Sequence, residues 1–519
     1  MGDAVMRSIP VCLACTVCGL LLVIPVWSQE RFVPVDRSES PIGFAENNER
    51  DSDSLLHLLE RLEQLEAEVA ALRAESPSSV VGVPAVSGIK PSSAELLPPS
   101  PAPGATPVPM PSVPPAKKYP TVEVHGVFQA DAIYFTQDPE NRLQLGDIQD
   151  GAGFRRTRLS ANGAVAENVN YFIQMDFGFF GRPTFTDVWG EATHLPWLGN
   201  VRAGQWKQPF SLEVPTSFRY QTFLERSLLF QTFEPFRHIG VGFYNNSEDE
   251  MWTWAVSAFR MGQDQFGNDI GDAGGWSTAG RLTHLWWYEQ ADDATQRLDY
   301  LHTGVSFWVG DPASNTFQYR TIPEAFVGAF GVPAGTLPGT SQQQIGSISN
   351  GTPPFVDTGV IPANTIAHVG TEALWAAGPF SWQSEIQMAN LSQIGGPQLH
   401  FWGFYTQWMY FLTGESKPFL RKLGQIDRIQ PLHPFLADGN CVRGPGAWEI
   451  AFRVSHVDLD DENIHGGRLT DMTAGMNWYL NAYTKVQFNY IRAMLNRRTA
   501  TYAGPSAADV YGVRLQVDF

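Results

Sequence analysis

The sequence predicts an all-β protein that closes as a transmembrane antiparallel β-barrel. Its 519 residues include 48 Gly and 37 Pro, and 12% are aromatic, a composition that suits short strands and turns better than helices. From Tyr119 onward, apolar and polar residues alternate with a period of two. No stretch after residue 28 is apolar enough to span a bilayer as a helix. A membrane-spanning form of this chain must therefore be a closed barrel, which satisfies every backbone polar group.

The last strand shows the alternation most clearly. Its apolar positions all fall on one face: Tyr511, Val513, Leu515, Val517 and Phe519. Aromatic residues also gather near the predicted strand ends, as in the girdles of membrane barrels. They are Trp252, Trp254, Trp286, Tyr288, Trp408, Phe411, Trp478 and Tyr479. A water-soluble sandwich would alternate too, but its apolar face would point inward and its edge strands would need cover, so the girdle favours the barrel.

Residues 1–28 are predicted to be a signal peptide. Arg7 supplies the positive start, an apolar core follows, and cleavage is expected after Ser28. The alternative is an uncleaved N-terminal anchor. Cys12, Cys15 and Cys18 have metal-site spacing but lie inside the apolar core, and the mature chain keeps only one cysteine, so no internal disulfide framework is expected.

Three further segments precede the barrel domain, which we place at residues 119–519. Residues 29–50 are polar without periodicity and are predicted to be disordered. Residues 51–75 carry a heptad pattern, so a short coiled-coil helix that makes the protein a homo-oligomer is predicted. The alternative is an amphipathic helix that lies on the surface of its own chain. Residues 76–118 form a Pro-rich linker.

Charge excludes one class of partner. The chain has a net charge of −18, whereas nucleic-acid binding requires a basic surface. The barrel domain holds 22 Arg and 4 Lys against 39 Asp and Glu, a net charge of −13. Its cations are thus mostly arginines, which bind oxyanions in a bidentate way and are less tightly hydrated than lysines.

Arginines are the main candidates for lining a pore. Strand alternation places six of them on inward faces: Arg156, Arg158, Arg202, Arg281, Arg453 and Arg514. Three more lie in one long connection, residues 205–238: Arg219, Arg226 and Arg237. The alternative is that they only brace this loop against the barrel wall. The carboxylates available for such pairs are Asp187, Glu191, Glu225 and Glu234.

The connection at residues 205–238 is predicted to fold into the lumen. It is too long for a routine hairpin and is rich in apolar side chains such as Phe210, Phe223 and Leu228. On the outside these would form a large apolar patch. Inside, they narrow the channel and carry Arg219 and Arg226 to where the dielectric is lowest, so we expect these two residues to set the anion pathway. Other connections are expected to alternate between short periplasmic turns and longer extracellular loops.

No pattern of catalytic or metal-binding residues supports an enzyme. The zinc-protease, phosphate-loop and nucleophile-elbow motifs are absent. The acidic run from Asp458 to Glu462 lacks the glycine and terminal glutamate of a calcium loop, which favours a solvated loop. We therefore expect no catalytic residues, no metal and no cofactor.

Several motifs in the barrel domain resemble those of the phosphate-selective porins O and P. The matching stretches follow in order along the chain: 154–156, 204–213, 224–227, 412–415, 446–453 and 476–479. The resemblance implies a sixteen-stranded barrel, a trimer, and a third extracellular loop that constricts the lumen at residues 205–238. It also places Arg219 at a central basic position of the constriction, Asp187 at an acidic position near it, and Arg155 with Arg156 at a basic pair.

The sequence departs from this family at one place. The relatives have many lumen lysines and a dense arginine series around the loop that maps to residues 311–367, where this chain keeps only Arg320. The resemblance therefore implies the fold, but it does not imply a preference for phosphate.

These observations predict a passive outer-membrane channel for small hydrophilic solutes, with at most a modest preference for phosphate-like anions. Two alternatives remain: a structural protein whose barrel anchors a periplasmic coiled coil, and a general porin without selectivity. The expected partners are outer-membrane lipid, small solutes, two further copies in a trimer, and the barrel assembly machinery, which we expect to contact Phe519.

Overall fold

The computed structural model describes residues 118–178, 183–261, 275–291, 297–328, 351–436 and 444–519. The predicted signal peptide, disordered segment and coiled coil, and all of the linker except its last residue, lie outside the described residues. Among the described residues, no helix is long and apolar enough to cross a bilayer.

Sixteen long antiparallel strands form a closed barrel, which confirms the predicted fold class. Each strand pairs with its neighbours in sequence, and the last strand pairs with the first. They span β1 Glu123–Gln137, β2 Gly151–Ala166, β3 Val169–Asp176, β4 Thr184–Leu195, β5 Gly199–Lys207, β6 Arg237–Asn246, β7 Trp252–Arg260, β8 Trp276–Gln290, β9 Leu298–Gly310, β10 Ile361–Ala377, β11 Phe380–Gln393, β12 Gln398–Phe411, β13 Ala447–Asp461, β14 Ile464–Tyr479, β15 Thr484–Arg498 and β16 Ala503–Asp518. A two-residue strand, Thr316–Phe317, extends the sheet beside β10.

Two short helices accompany the strands. They are α1, Pro139–Leu145, and α2, Leu228–Phe233. Helix α1 begins where the sequence would start a helix, because Asp138 accepts a hydrogen bond from the backbone of Asn141 and Pro139 occupies the first turn.

Alternation sorts the side chains of each strand between lumen and lipid. On β16, Tyr511 and Leu515 are 47% and 39% exposed on the outside, whereas Arg514 and Gln516 are 1% and 2% exposed. Outward tryptophans follow the predicted girdle on β7, β8 and β12. The prediction is wrong for Phe411 and Tyr479, which are buried together on the lumen side of the wall. Tyr479 donates its hydroxyl to Glu449 on β13.

The barrel has two rims. The lower rim is where β1 begins and β16 ends, and the upper rim is the opposite end. The connection between β5 and β6, residues 208–236, is the third at the upper rim and is called the constriction loop below. It folds into the lumen, as predicted: the backbone N–H of Leu228 donates to Ser455 on β13 at 3.1 Å, and that of Ser211 to Ser306 on β9 at 3.3 Å.

The connection between β12 and β13, residues 412–446 and called the lower loop, corrects an expectation. The lower rim was predicted to carry only short turns, but this loop is long and its described part turns inward. Its short hairpin pairs Phe419–Leu420 with Gln425–Ile426. The backbone N–H of Ile426 donates to Thr216 of the constriction loop at 3.4 Å, so the two loops meet inside the barrel.

Loops fill one side of the lumen. Phe210, Leu229 and Phe233 of the constriction loop are fully buried with Phe317, Tyr319 and Phe355 of the connection between β9 and β10. Inward side chains of the wall beside them are almost completely covered, including Tyr405, Glu385 and Arg453. The main open space therefore lies on the opposite side of the lumen, along β3 to β8.

Candidate functional site

A cavity of about 410 Å³ lies along the open side of the lumen. Strands β3 to β8 form its wall, Pro209 to Arg219 of the constriction loop cover one side, and Lys422 to Gln425 of the lower loop cover another. The cavity combines basic groups with aromatic rings. Six basic residues line it: Arg202, Lys207, Arg219, Arg237, Arg281 and Lys422. Asp187 is the only carboxylate among its described lining residues.

Two of these arginines are neutralised by carboxylates on β4. Arg237 on β6 donates twice to Oδ2 of Asp187 on β4, at 2.9 and 2.6 Å. Arg202 on β5 donates twice to Oε2 of Glu191, at 2.9 and 2.6 Å, and Tyr244 donates to the same oxygen at 2.5 Å. Both carboxylates were predicted as pairing partners, so these arginines brace the wall while they present their remaining edge to the cavity.

Arg281 connects the barrel wall to the lower loop. Its guanidinium pairs with Glu372 on β10, with Nε at 3.0 Å from Oε2, and it also donates to the carbonyl of Gly424 at 2.7 Å. His302 on β9 approaches the same carboxylate at 2.7 Å. Glu372 was not recognised from the sequence, because its strand shows only that it faces inward and not what it meets there.

Lys207 is the residue that sequence reasoning missed. It ends β5, and its Nζ donates to the carbonyls of Pro215 and Thr216 at 3.5 and 3.1 Å. Among the described residues, no carboxylate oxygen lies within 4.0 Å of that nitrogen. The available signal was its position inside the family-like stretch at residues 204–213. Lys207 is thus a lumen cation whose charge no adjacent carboxylate cancels.

Arg219 is only loosely paired. Its Nε lies 3.6 Å from Oδ2 of Asp518 on β16, and Arg428 of the lower loop donates to that same oxygen. Burial lowers the pKa of Arg219, although Asp518 offsets part of this effect. One carboxylate is shared between two guanidinium groups, so positive charge is left over at this point of the cavity.

Glu225 fastens the constriction loop to the wall. Its carboxylate accepts hydrogen bonds from Arg155 at 2.8 and 3.2 Å, Arg156 at 3.1 Å and Arg514 at 2.8 Å. Arg514 also pairs with Asp131 on β1 at 2.7 and 2.6 Å. These three arginines do not line the cavity. They hold the constriction loop against the barrel wall, which is the alternative role predicted for the arginines from the sequence.

The other predicted arginines also lie outside the cavity lining. Arg158 pairs with Asp176 at 2.6 Å, and Arg453 pairs with Glu324, which belongs to the connection between β9 and β10. Arg226 donates to the backbone carbonyls of Glu213 and Thr216 at 2.8 and 2.7 Å. The structure therefore gives Arg226 a bracing position inside the constriction loop rather than a position on the cavity surface.

Three aromatic rings and the guanidinium of Arg202 form a row on the cavity wall. Phe172 on β3 lies beside Trp189 on β4 with ring centroids 5.6 Å apart and nearly parallel planes. The guanidinium of Arg202 lies 3.8 Å from the centre of the Trp189 ring and 5.1 Å from that of Tyr244. This row was not predicted from the sequence, because its members are spread over four strands.

Metal ligation has no support in the described part of the chain, where no group of three or more His, Cys, Asp or Glu residues could hold an ion. The polar groups of the cavity are instead suited to attract and orient mobile anions.

Comparison with known proteins identifies the family. Residues 122–519 match the family model of the phosphate-selective porins O and P. Porin O of Pseudomonas aeruginosa is 25% identical over 393 residues, which cover 72% of this chain and 83% of that protein. An uncharacterized protein of Caulobacter vibrioides is 25% identical over 486 residues, which cover 88% of this chain and 90% of that protein.

The chain is also similar, at low identity, to solved porins. An anion-selective porin from Comamonas acidovorans is 12% identical with a TM-score of 0.45, covering 77% of this chain and 99% of that one. The channel DcaP of Acinetobacter baumannii is 12% identical with a TM-score of 0.40, covering 77% and 97%. With its sixteen-stranded barrel, inward constriction loop and match over the whole barrel domain, this chain belongs to the phosphate-selective porin O and P family and is an outer-membrane porin.

Proposed function

We propose that the protein is a passive diffusion channel that favours small anions over cations. The observation that carries this proposal is the charge balance around the open cavity. Three of its arginines are matched by a carboxylate each: Arg202 by Glu191, Arg237 by Asp187 and Arg281 by Glu372. The remaining cations are not matched one to one.

Three positive charges are left over at the cavity. Lys207 has no carboxylate within 4.0 Å among the described residues. Asp518 is shared by Arg219 and Arg428, and Glu250 is shared by Arg421 and Lys422. A narrow lumen with low-dielectric walls concentrates such a field. The negative total of the barrel domain acts less strongly on this cavity, because many of its carboxylates lie away from the cavity, either buried against arginines, as Glu324 is against Arg453, or exposed, as Asp147 is.

The reversal potential in a salt gradient tests this proposal. When purified porin is placed in a planar bilayer between unequal potassium chloride solutions, the reversal potential should have the sign expected for a pore that prefers chloride over potassium. Lys207→Gln and Arg219→Gln should each lower the ratio of anion to cation permeability by roughly fivefold. A unit charge at about 8 Å in water shifts the energy of an anion by about 0.5 kcal/mol and that of a cation by the same amount in the opposite direction, so the ratio changes by about 1 kcal/mol.

Arg492→Gln is the matched control. Arg492 faces outward on β15, where it pairs with Asp509 at 2.7 Å and is 43% exposed, so its loss removes a charge without touching the lumen. A cation-preferring wild type, or equal shifts in the control and lumen variants, would overturn the proposed anion preference.

A structural role is the second candidate. The N-terminal heptads, ahead of the barrel in the sequence, would let the barrel anchor a periplasmic coil. Conductance separates the two: a purified barrel that never opens in a planar bilayer would favour the anchor, and regular conductance steps favour the channel.

We further propose that three copies associate in the membrane. Outward positions on β2, β4 and β5 carry small residues that allow close approach of a second barrel: Ala161, Gly163, Gly190, Ala192 and Ala203. Replacing Gly190 and Ala203 together with leucine should dissociate the assembly on native electrophoresis while the monomer barrel stays folded.

A further inference from the structure

We propose that the open cavity binds organic anions that carry an aromatic ring, with a monoaromatic carboxylate as the ligand class. This inference deepens the proposed anion channel and rests on it. The lining supplies two kinds of contact in the same 410 Å³ space: an uncancelled cation at Lys207 and a row of planar groups that begins at Phe172 and Trp189.

The aromatic row does not serve an inorganic oxyanion. The faces of Phe172 and Trp189 offer no hydrogen-bond donors and carry the negative side of the ring quadrupole, so a hydrated phosphate gains nothing from them. Arg202, the cation beside these rings, already donates two hydrogen bonds to Glu191, which also accepts one from Tyr244. The rings therefore hold Arg202 in place but offer phosphate no binding contact of their own.

A ring-bearing carboxylate uses both features. Its ring can pack against half-buried aromatic side chains, as aromatic pairs do in edge-to-face or offset geometry. Its carboxylate can pair with Lys207, whose ammonium donates to the carbonyls of Pro215 and Thr216 and has no carboxylate oxygen within 4.0 Å in the described part of the chain. The volume also suits such a molecule, because pockets for small organic ligands measure roughly 300 to 1,000 Å³.

The constriction and lower loops enclose the same space with more apolar surface. Phe218 and Pro215 of the constriction loop and Leu423 of the lower loop line the cavity together with Trp206 of β5. An organic anion that enters therefore exchanges water for apolar contacts on more than one side, which slows its exit and makes it visible as a blocker of ion current.

The test measures block of chloride current through the purified porin by sodium benzoate, sodium acetate and sodium phosphate. Benzoate should block at about a tenfold lower concentration than acetate, which has the same carboxylate without the ring, and lower than phosphate. Trp189→Ala should remove the advantage of benzoate over acetate, and Trp189→Phe should keep it. Lys207→Gln should weaken block by both carboxylates.

Trp402→Ala is the control, because Trp402 on β12 faces outward and is 42% exposed. Equal block by benzoate, acetate and phosphate, or an unchanged benzoate advantage in Trp189→Ala, overturns the ligand class. If the same channels still show an anion-type reversal potential, the proposed function survives that failure. A cation-type reversal potential would instead refute both.

Discussion

Replacing Glu225 with glutamine should release the constriction loop from the barrel wall. The carboxylate is 6% exposed and is the meeting point of Arg155, Arg156 and Arg514. Burial raises the pKa of Glu225, but the three guanidinium groups outweigh burial and hold that pKa well below its ordinary value. The attachment is therefore complete at and above the ordinary carboxyl pKa, and it is lost only as the pH falls through the lowered value.

The free-energy cost of Glu225→Gln depends on which arginines lose their carboxylate partner. Arg514 keeps Asp131, but Arg155 and Arg156 lose the only carboxylate recorded within 4.0 Å of them in the described residues. Removing one partner of a buried ion pair costs about 3–5 kcal/mol. Since glutamine can still accept a hydrogen bond, we take the lower end, about 3 kcal/mol, which raises the undocked fraction of the loop about a hundredfold.

Two measurements report that fraction. An undocked loop exposes the peptide bonds after Arg219 and Arg226 to trypsin, and the cleavage rate follows the open population when closing is fast. In planar bilayers the same motion should appear as frequent steps to a higher conductance.

Asp147→Asn is the control for Glu225→Gln. It breaks a solvent-exposed pair with Arg142, whose side chains are 60% and 65% exposed, so it should change neither readout. If Glu225→Gln is cleaved no faster than this control and conducts as steadily as the wild type, Glu225 does not hold the loop and the reasoning fails.

Three other changes test the two inward loops. Burial and then Glu213 raise the pKa of Glu234 to about 8. The docked constriction loop thus keeps a proton on Glu234 that the undocked loop loses, so docking weakens as the pH rises from the ordinary carboxyl pKa to about 8. The current noise of the wild type should therefore rise between about pH 5 and 9, and Glu234→Gln should abolish that rise. Gly424→Val should displace the lower loop and raise conductance, because Gly424 has φ +59° and its Cβ would lie 2.8 Å from Thr253 Oγ1. Lys417→Met should weaken the attachment of the lower loop by about 3–5 kcal/mol, because the buried Glu449 carboxylate, 2.9 Å from Lys417 Nζ, would lose its cation. The double variant with Glu449→Gln removes that unpaired charge and should recover the wild-type conductance.

The barrel itself was predictable because strand alternation is a local signal. Each inward arginine could be assigned from its neighbours in sequence, and Arg202, Arg281 and Arg514 all face the lumen as predicted. The inward fold of the constriction loop was predictable for a different reason: its apolar side chains have no other place to be buried.

The composition of the site was not predictable, because it depends on contacts between distant segments. Arg226 and Arg219 look alike in sequence, yet one bonds to its own loop and the other faces the cavity beside Asp518. Lys207 stands out only once the structure shows that none of the described carboxylate oxygens lies within 4.0 Å of its Nζ. The lower loop has no apolar signature as strong as that of the constriction loop, and its contacts with Thr216 and Asp518 arise from barrel closure.

The position of Arg514 has a consequence for how the channel is made. Arg514 on β16 pairs with Asp131 on β1, the strand across the closing seam, and with Glu225 of the constriction loop. Asp518, four residues further along the same strand face, pairs with Arg219 of one inward loop and with Arg428 of the other. Both loops thus have ion-pair partners on β16, one of the two strands at the seam. The constriction loop is also bonded to β9 and β13, so joining β16 to β1 completes the anchoring of the narrow pathway, and an unsealed barrel would be a wide leak in the membrane.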